Sequence, residues 1–322
     1  MNTVYSFLAA FAVTVALAPI VIYCSRKFKL RQTVLHYVSE HKSKSGTPTM
    51  GGIAFLIGSS LATLLFGRSS LSLLCLVVFI GYGVIGFLDD YIKIKYKRNE
   101  GLKPYQKIVF QLLIAIIVSI ASARYFFFFQ QKNALFFVEV SIFFDEFDFG
   151  LFAIPFNVFV FLAFTNSVNL TDGLDGLAST VTLISMTAMG IIVGAFGDGM
   201  NNFCLAIAGG VAGFLIYNCF PAKIFMGDTG SLALGGAFAA VTVYSGQALC
   251  AVMCGAMFVW TAMSVIIQVL HFKRTKRRVF KMAPFHHHLQ ESGLHENRIV
   301  AIYGAITLLF SISAVLFTVG VI

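Results

Sequence analysis

SLSLLCLVVFIGYGVIGFLDDYIKIKYK, residues 70–97, decides the fold. From Ser70 to Leu88 no residue is charged, a run long enough to cross the roughly 30 Å hydrocarbon core of a bilayer as a helix. Asp89 and Asp90 close the run, and Lys93, Lys95 and Lys97 follow. A charge at the edge of a membrane is costly to hold and marks a functional site by default. Adjacent helical residues point about 100° apart, so the two aspartates do different jobs. Lys93 is spaced to pair with either of them on one helix face. The bland alternative is a snorkelling Asp–Lys pair at a helix end. A second carboxylate facing other carboxylates tips the reading toward function.

The rest of the chain has the same character. Its 322 residues are 58% hydrophobic and only 11% charged, with a mean hydropathy of +0.86, whereas soluble domains carry about 25% charged residues. Long apolar runs indicate an all-α integral membrane protein rather than a β-barrel. No polar stretch could build a separate soluble domain, so residues 1–322 are expected to form one polytopic unit. About ten transmembrane helices are expected, near 2–23, 50–66, 70–88, 107–123, 151–168, 175–196, 200–218, 230–246, 249–270 and 300–320. The first run lacks a basic start and reads as a retained span.

With both termini outside, the inner loops are 24–49, 89–106, 169–174, 219–229 and 271–299. All of the 23 cations except Arg68, Arg124 and Lys132 then fall in or at the edge of those loops, as the positive-inside rule requires. That distribution accounts for the net charge of +9 without a nucleic-acid partner. The six cysteines lie in or beside apolar runs with no CxxC and read as packing residues. The outer segment 124–150 alternates through FFVEVSIFF, compatible with a short periplasmic β-hairpin near 126–145. No internal repeat supports an inverted-repeat transporter.

On this topology Asp89, Asp90, Asp172, Asp175 and Asp228 all reach the cytoplasmic face. In NSVNLTDGLDG (166–176), Asn166, Asn169 and Asp172 fall three residues apart on roughly one helix face, and Asp175 follows. Carboxamides and carboxylates so placed can serve a sugar, a base or a hydrated cation; a helix cap explains one Asn and one Asp but not four such side chains. In FPAKIFMGDTGS (220–231), Asp228 opens a helix. Taken alone it is a simple cap, yet the helix amino terminus also favours anions and keeps the carboxylate ionised for Mg2+. In MAPFHHHLQESG (282–293), three consecutive histidines do not aim at one metal. They read instead as donors to a phosphate beside the basic run HFKRTKRR (271–278). The segment KSKSGTPTMGG (42–52) pairs cations with a glycine-rich turn and is weak evidence alone.

Taken in order, GTPTMGG, the aspartate pair, NSVNLTDGLDG, GDTGS and PFHHHLQ resemble the polyprenyl-phosphate N-acetylhexosamine-1-phosphate transferases over essentially the whole chain. GTPTMGG and the histidine string point to the muramoyl-pentapeptide branch. The resemblance implies transfer of phospho-MurNAc-pentapeptide from UDP-MurNAc-pentapeptide to undecaprenyl phosphate, giving lipid I and UMP, with Mg2+ as cofactor. It also implies a homodimer in the bacterial inner membrane with its active site facing the cytoplasm. The catalytic residues would be Asp89, Asp90 and Asp228, with Asp228 and Asp172 at the metal. Lys44, Lys93, Lys107, Asn166, Asn169, Asp172, Asp175, Asn218, His286, His287 and His288 would bind substrate.

Three rivals stand beside this reading, of which a non-catalytic membrane scaffold would not need so many polar residues at helix mouths. A sibling enzyme would transfer GlcNAc-1-phosphate to the same lipid, and the histidine string argues against it. A cation-coupled transporter would place its carboxylates near the bilayer midplane rather than at one face.

Overall fold

The computed structural model describes residues 2–28, 46–96, 101–129, 139–142, 145–148, 152–197 and 199–320. Twelve helices are present among them: α1 Asn2–Lys27, α2 Gly52–Phe66, α3 Ser70–Lys95, α4 Pro104–Phe129, α5 Ala153–Thr171, α6 Leu177–Ala195, α7 Asn201–Asn218, α8 Gly227–Ser245, α9 Ala248–Cys254, α10 Ala256–Thr275, α11 Phe285–Gln290 and α12 Glu296–Val319. Between α4 and α5 lie two short strands, β1 Glu139–Ile142 and β2 Asp145–Asp148. They pair antiparallel, with Glu139 opposite Asp148 and Ile142 opposite Asp145.

Helix α8 forms the centre. Every residue from Thr229 to Tyr244 is buried, and α2, α3 and α5 pack around it. Its sequence explains the position, because Gly and Ala dominate GDTGSLALGGAFAAVTVYS and small residues let helix backbones approach closely in a membrane. A second group joins α7 to α1, α2 and α6, and α12 lies against α6 and α9.

Among the described residues, α1, α3, α4, α5, α6, α10 and α12 are long and apolar enough to cross a membrane. The protein is therefore a multi-pass, predominantly helical membrane protein. Three of the ten expected spans differ from that simple picture for physical reasons. Helices α7 and α8 are rich in small residues and enclosed by other helices, so they need few large lipid-facing side chains. Helix α2 has 15 residues, or about 22 Å at 1.5 Å per residue, short for a full crossing.

The span expected over 249–270 is broken. The chain turns at Gly255, which sits against the rings of Phe164 and Phe238 and separates α9 from α10. The hairpin lies further along than expected. Phe126–Phe129 continue α4, whose sequence after Pro104 contains no Gly or Pro to stop it. Among the described residues, strand pairing begins at Glu139.

Candidate active site

Four helix ends meet at one end of the bundle. The carboxyl end of α3 brings Asp89 and Asp90, the amino end of α8 brings Asp228, and the carboxyl end of α5 brings Asn169. The amino end of α4 adds Lys107. Carboxylate oxygens of Asp89, Asp90 and Asp228 lie within 4.8 Å of one another. Nothing in the bundle would tolerate that crowding without cations, and two are present. Lys93 Nζ lies 2.6 Å from Asp89 Oδ2 and 2.8 Å from Asp228 Oδ2. Lys107 Nζ donates to the same Asp228 oxygen at 3.0 Å.

Asp228 is the hub. Its second oxygen, Oδ1, accepts from Asn169 Nδ2 at 2.8 Å. Asn169 in turn accepts Lys107 Nζ on its own Oδ1 at 3.2 Å and donates to Ser231 Oγ at 2.8 Å. The Asp228 and Lys107 side chains each keep 17% of their surface exposed and Lys93 keeps 25%, so solutes can reach the hub.

The two neighbouring aspartates divide their work as their helical offset requires. Asp90 points inward and caps α8. It accepts the Asp228 N–H on Oδ1 at 3.2 Å, and on Oδ2 it accepts the Thr229 N–H at 2.9 Å and the Thr229 hydroxyl at 2.7 Å. These are amides that a helix start leaves without partners, so Asp90 fixes where Asp228 stands. Gly227 just before them adopts φ +75°, and a Cβ there would press on Asp90 Oδ2. Asp89 takes the Leu102 N–H on Oδ1 at 2.8 Å and pairs with Lys93. Both side chains are buried, and Asp89 differs from Asp90 in facing a lysine rather than a helix start.

The other predicted residues separate into groups. Asp172, at the carboxyl cap of α5, makes no side-chain hydrogen bond among the described residues. Burial first, then the negative charges of Asp228, Asp90 and Asp175, push its carboxyl well above the usual range. It stands outside the cluster of Asp89, Asp90 and Asp228. Asp172 follows directly on the end of α5, while the three grouped carboxylates come from α3 and α8.

Asp175 and Asn218 turn into the protein. Asp175 Oδ2 accepts the Ala222 N–H at 3.0 Å. Asn218 Nδ2 donates to the Ile224 carbonyl at 3.1 Å, and its Oδ1 accepts the Ser179 hydroxyl at 2.8 Å. Together they brace the segment 219–226 that leads into Asp228. Asn166 donates both to Gln111 Oε1 and to the Leu162 carbonyl, each at 2.8 Å. Lys44 lies outside the described residues.

The histidines form α11 and share no common target. His286 is fully buried, near the ring of Tyr303, with neither ring nitrogen hydrogen-bonded among the described residues. Burial, and secondarily His287, hold it well below the ordinary histidine range, so it stays neutral. His287 Nδ1 pairs with Gln290 Oε1 at 3.2 Å, and His288 Nδ1 accepts the Lys281 N–H at 3.2 Å.

His286 reaches the site through Gly173, where an added Cβ would fall on its Nε2. Gly173→Ala is therefore expected to lower the thermal midpoint of the protein in detergent, at an overpacking cost of about 1–3 kcal/mol. In a His286→Ala background that extra cost should disappear. An unchanged cost would mean that His286 is not the obstacle.

Two residues that the motif reading passed over, Gln111 and Ser179, complete the arrangement together with Thr229 and Ser231 of the GDTGS string. Gln111 carried a legible signal, as the only Asn, Gln, Asp or Glu between Lys107 and Arg124 and one helical turn from Lys107. Ser179 carried none, since small hydroxyls are ordinary in apolar helices.

A helical bundle embedded in a membrane, with an aspartate–lysine site at one end, defines a class when set beside known proteins. Residues 71–246 match glycosyl transferase family 4, which makes the chain a membrane transferase. Residues 44–56 match the phospho-N-acetylmuramoyl-pentapeptide-transferase signature 1. Over 312 residues the chain is 43% identical to the phospho-N-acetylmuramoyl-pentapeptide-transferase of Clostridium novyi, covering 95% of this chain and 94% of that one. It is 44% identical to the enzyme of that name from Clostridium kluyveri, covering 95% and 96%. The Bacillus anthracis enzyme is 44% identical over 313 residues, 94% of each chain. The chain belongs to the phospho-N-acetylmuramoyl-pentapeptide-transferase family.

Proposed function

We propose that the protein transfers phospho-MurNAc-pentapeptide from UDP-MurNAc-pentapeptide to undecaprenyl phosphate, forming lipid I and releasing UMP. The observation that carries this reading is the Asp228 hub, two lysines and three carboxylates at one end of a lipid-embedded bundle. A soluble nucleotide and a phosphate on a lipid tail can both arrive at such a place. The relatives' names supply the sugar.

The residues present fit Mg2+. Three carboxylates outnumber the two ammonium groups beside them, and their ligand oxygens are close enough to share one ion. Hard oxygen donors of that kind suit a cation that keeps several waters and substrate oxygens. Asp228 would hold it, with Asp89 and Asp90 beside it. When bound, Mg2+ supplies charge neutralisation on the diphosphate.

Phosphoryl transfer depends mainly on positioning and on stabilising charge spread over oxygens. Lys93 and Lys107 would donate to phosphate oxygens, with Lys44 assigned to the same task by resemblance. An oxygen of undecaprenyl phosphate attacks the phosphorus joined to the sugar. The bond from that phosphorus to the UMP oxygen breaks, and UMP leaves with the electron pair. Asp89 serves either as base for a protonated lipid phosphate or as nucleophile in a two-step route. Asn169 and Asp172 would line the nucleotide side, with His287 and His288 near the phosphates. Asp175, Asn218 and Asn166 act by holding the framework.

The finer topology follows the same reading. Setting aside the six-residue α11 and counting α9 and α10 as one broken crossing gives ten, with both termini outside. The site then faces the cytoplasm of a bacterial inner membrane, where the basic loops lie. The whole chain acts as one transferase unit, and by family resemblance as a homodimer.

The test is UMP release by the purified protein in detergent, with undecaprenyl phosphate and either UDP-MurNAc-pentapeptide or UDP-GlcNAc. Lipid-dependent release from the muramoyl substrate alone, abolished by EDTA and restored by Mg2+, is expected. Release only from UDP-GlcNAc would move the assignment to the sibling reaction. No release by a folded sample would favour transport.

A further inference from the structure

Beneath the site lies a polar layer that the proposed chemistry does not use. Lys107 and Asn169 form one rung between α4 and α5, at the Asp228 hub. Gln111 is four residues beyond Lys107, and Asn166 is three before Asn169. Both steps are one helical turn, and they carry the chain away from the site. There Asn166 Nδ2 donates to Gln111 Oε1 at 2.8 Å, making a second rung between the same two helices. The Gln111 main-chain carbonyl also accepts the Tyr82 hydroxyl of α3 at 3.1 Å. Tyr82 is seven residues, two turns, from Asp89. Gln111 is thus one residue at which α3, α4 and α5 are tied, and those helices carry Asp89, Lys107 and Asn169.

Gln111 and Tyr82 are both fully buried, and among the described residues Gln111 Nε2 has no hydrogen-bond partner. A leucine would fill this buried position without that orphaned donor. Interhelical hydrogen bonds in membranes also add little to stability, because the unfolded chain finds partners too. Stability alone therefore does not call for glutamine here. Position does, since a misplacement of about 1 Å at a reacting group can cost roughly 100-fold in rate.

We propose that Gln111 is a positioning residue for the transfer. Bridged to Asn166 and Tyr82, it sets the spacing of α3, α4 and α5 one turn below the site and holds Lys107 against Asp228. This rests on the transferase reading, and the experiment separates the two.

UMP release and thermal unfolding would be measured for the wild type, Gln111→Leu, Asn166→Leu, the double leucine variant and the reciprocal exchange Q111N/N166Q. For Gln111→Leu, kcat should fall about tenfold or more while KM for the UDP substrate and the thermal midpoint stay close to wild type. The double variant should be no slower than the slower single, since one bridge is lost in each. The reciprocal exchange keeps an amide–amide bridge and should recover much of kcat. Wild-type kcat in Gln111→Leu, a loss that tracks a falling midpoint, or multiplicative losses in the double variant would each overturn the proposal while the wild-type reaction stands. No UMP release by the folded wild type would overturn the transferase reading and this proposal with it.

Discussion

Asp228→Asn is expected to cut Mg2+-dependent UMP release by roughly 10³-fold, the scale set by removing one preorganised charge-stabilising group, while the protein remains folded. The exchange is nearly isosteric and isolates the charge. Asn169 can still donate to the remaining oxygen, and Lys107 keeps its bond to Asn169. Lys93 keeps its pair with Asp89. What changes is the atom facing the two ammonium groups. An amide nitrogen in place of Oδ2 would set a donor against two donors, and the cluster would lose one of three carboxylates that could share a cation. The cap made by Asp90 uses the backbone of residues 228 and 229, so α8 should still begin at the same place. The check is paired: initial UMP release across an Mg2+ titration, and unfolding in detergent. Turnover above a tenth of wild type at any Mg2+ level would remove Asp228 from the metal and from the chemistry.

That prediction was within reach of the sequence, because an aspartate between glycines at the mouth of an apolar run is visible without coordinates. Other residues were not so readable. Asn166, Asp175 and Asn218 have the types and spacing of ligands, and spacing does fix the helix face they share. It does not fix the partner across that face. In the structure those partners are Gln111, the Ala222 amide, the Ile224 carbonyl and Ser179.

Helix α8 shows the same limit at the level of the fold. Its small residues lower its hydropathy, and only the neighbours packed on every side reveal it as the centre. Asp89 and Asp90 show the opposite case. Their 100° offset announced two jobs, and the structure supplies one cap and one ion pair.

Gly86→Ala should be among the most damaging changes of a single methyl group in the bundle, because it strikes backbone rather than side chain and does so at the site. Gly86 lies one turn before Asp90 on α3, and a Cβ there would overlap the Asp228 carbonyl, with Thr229 Cα 2.6 Å away. Flexible side chains can rotate away from an added methyl, but the first turn of α8 cannot. That turn is held by Asp90 and by its packing against Gly52 of α2. The helices must therefore separate, which strains a tightly packed core by about 1–3 kcal/mol or more and moves Asp89 and Asp90 away from Asp228. Displacement of about 1 Å there should lower UMP release at least 100-fold, and the thermal midpoint should fall as well. Gly81→Ala on the same helix is the control. Its Cβ would meet only the Ile114 Cδ1 atom at 3.2 Å, and alanine favours a helix over glycine by up to about 1 kcal/mol. Gly81→Ala should therefore keep near wild-type turnover and stability. Equal behaviour of the two variants would mean that the close approach of α3 and α8 does not set the geometry of the carboxylate cluster.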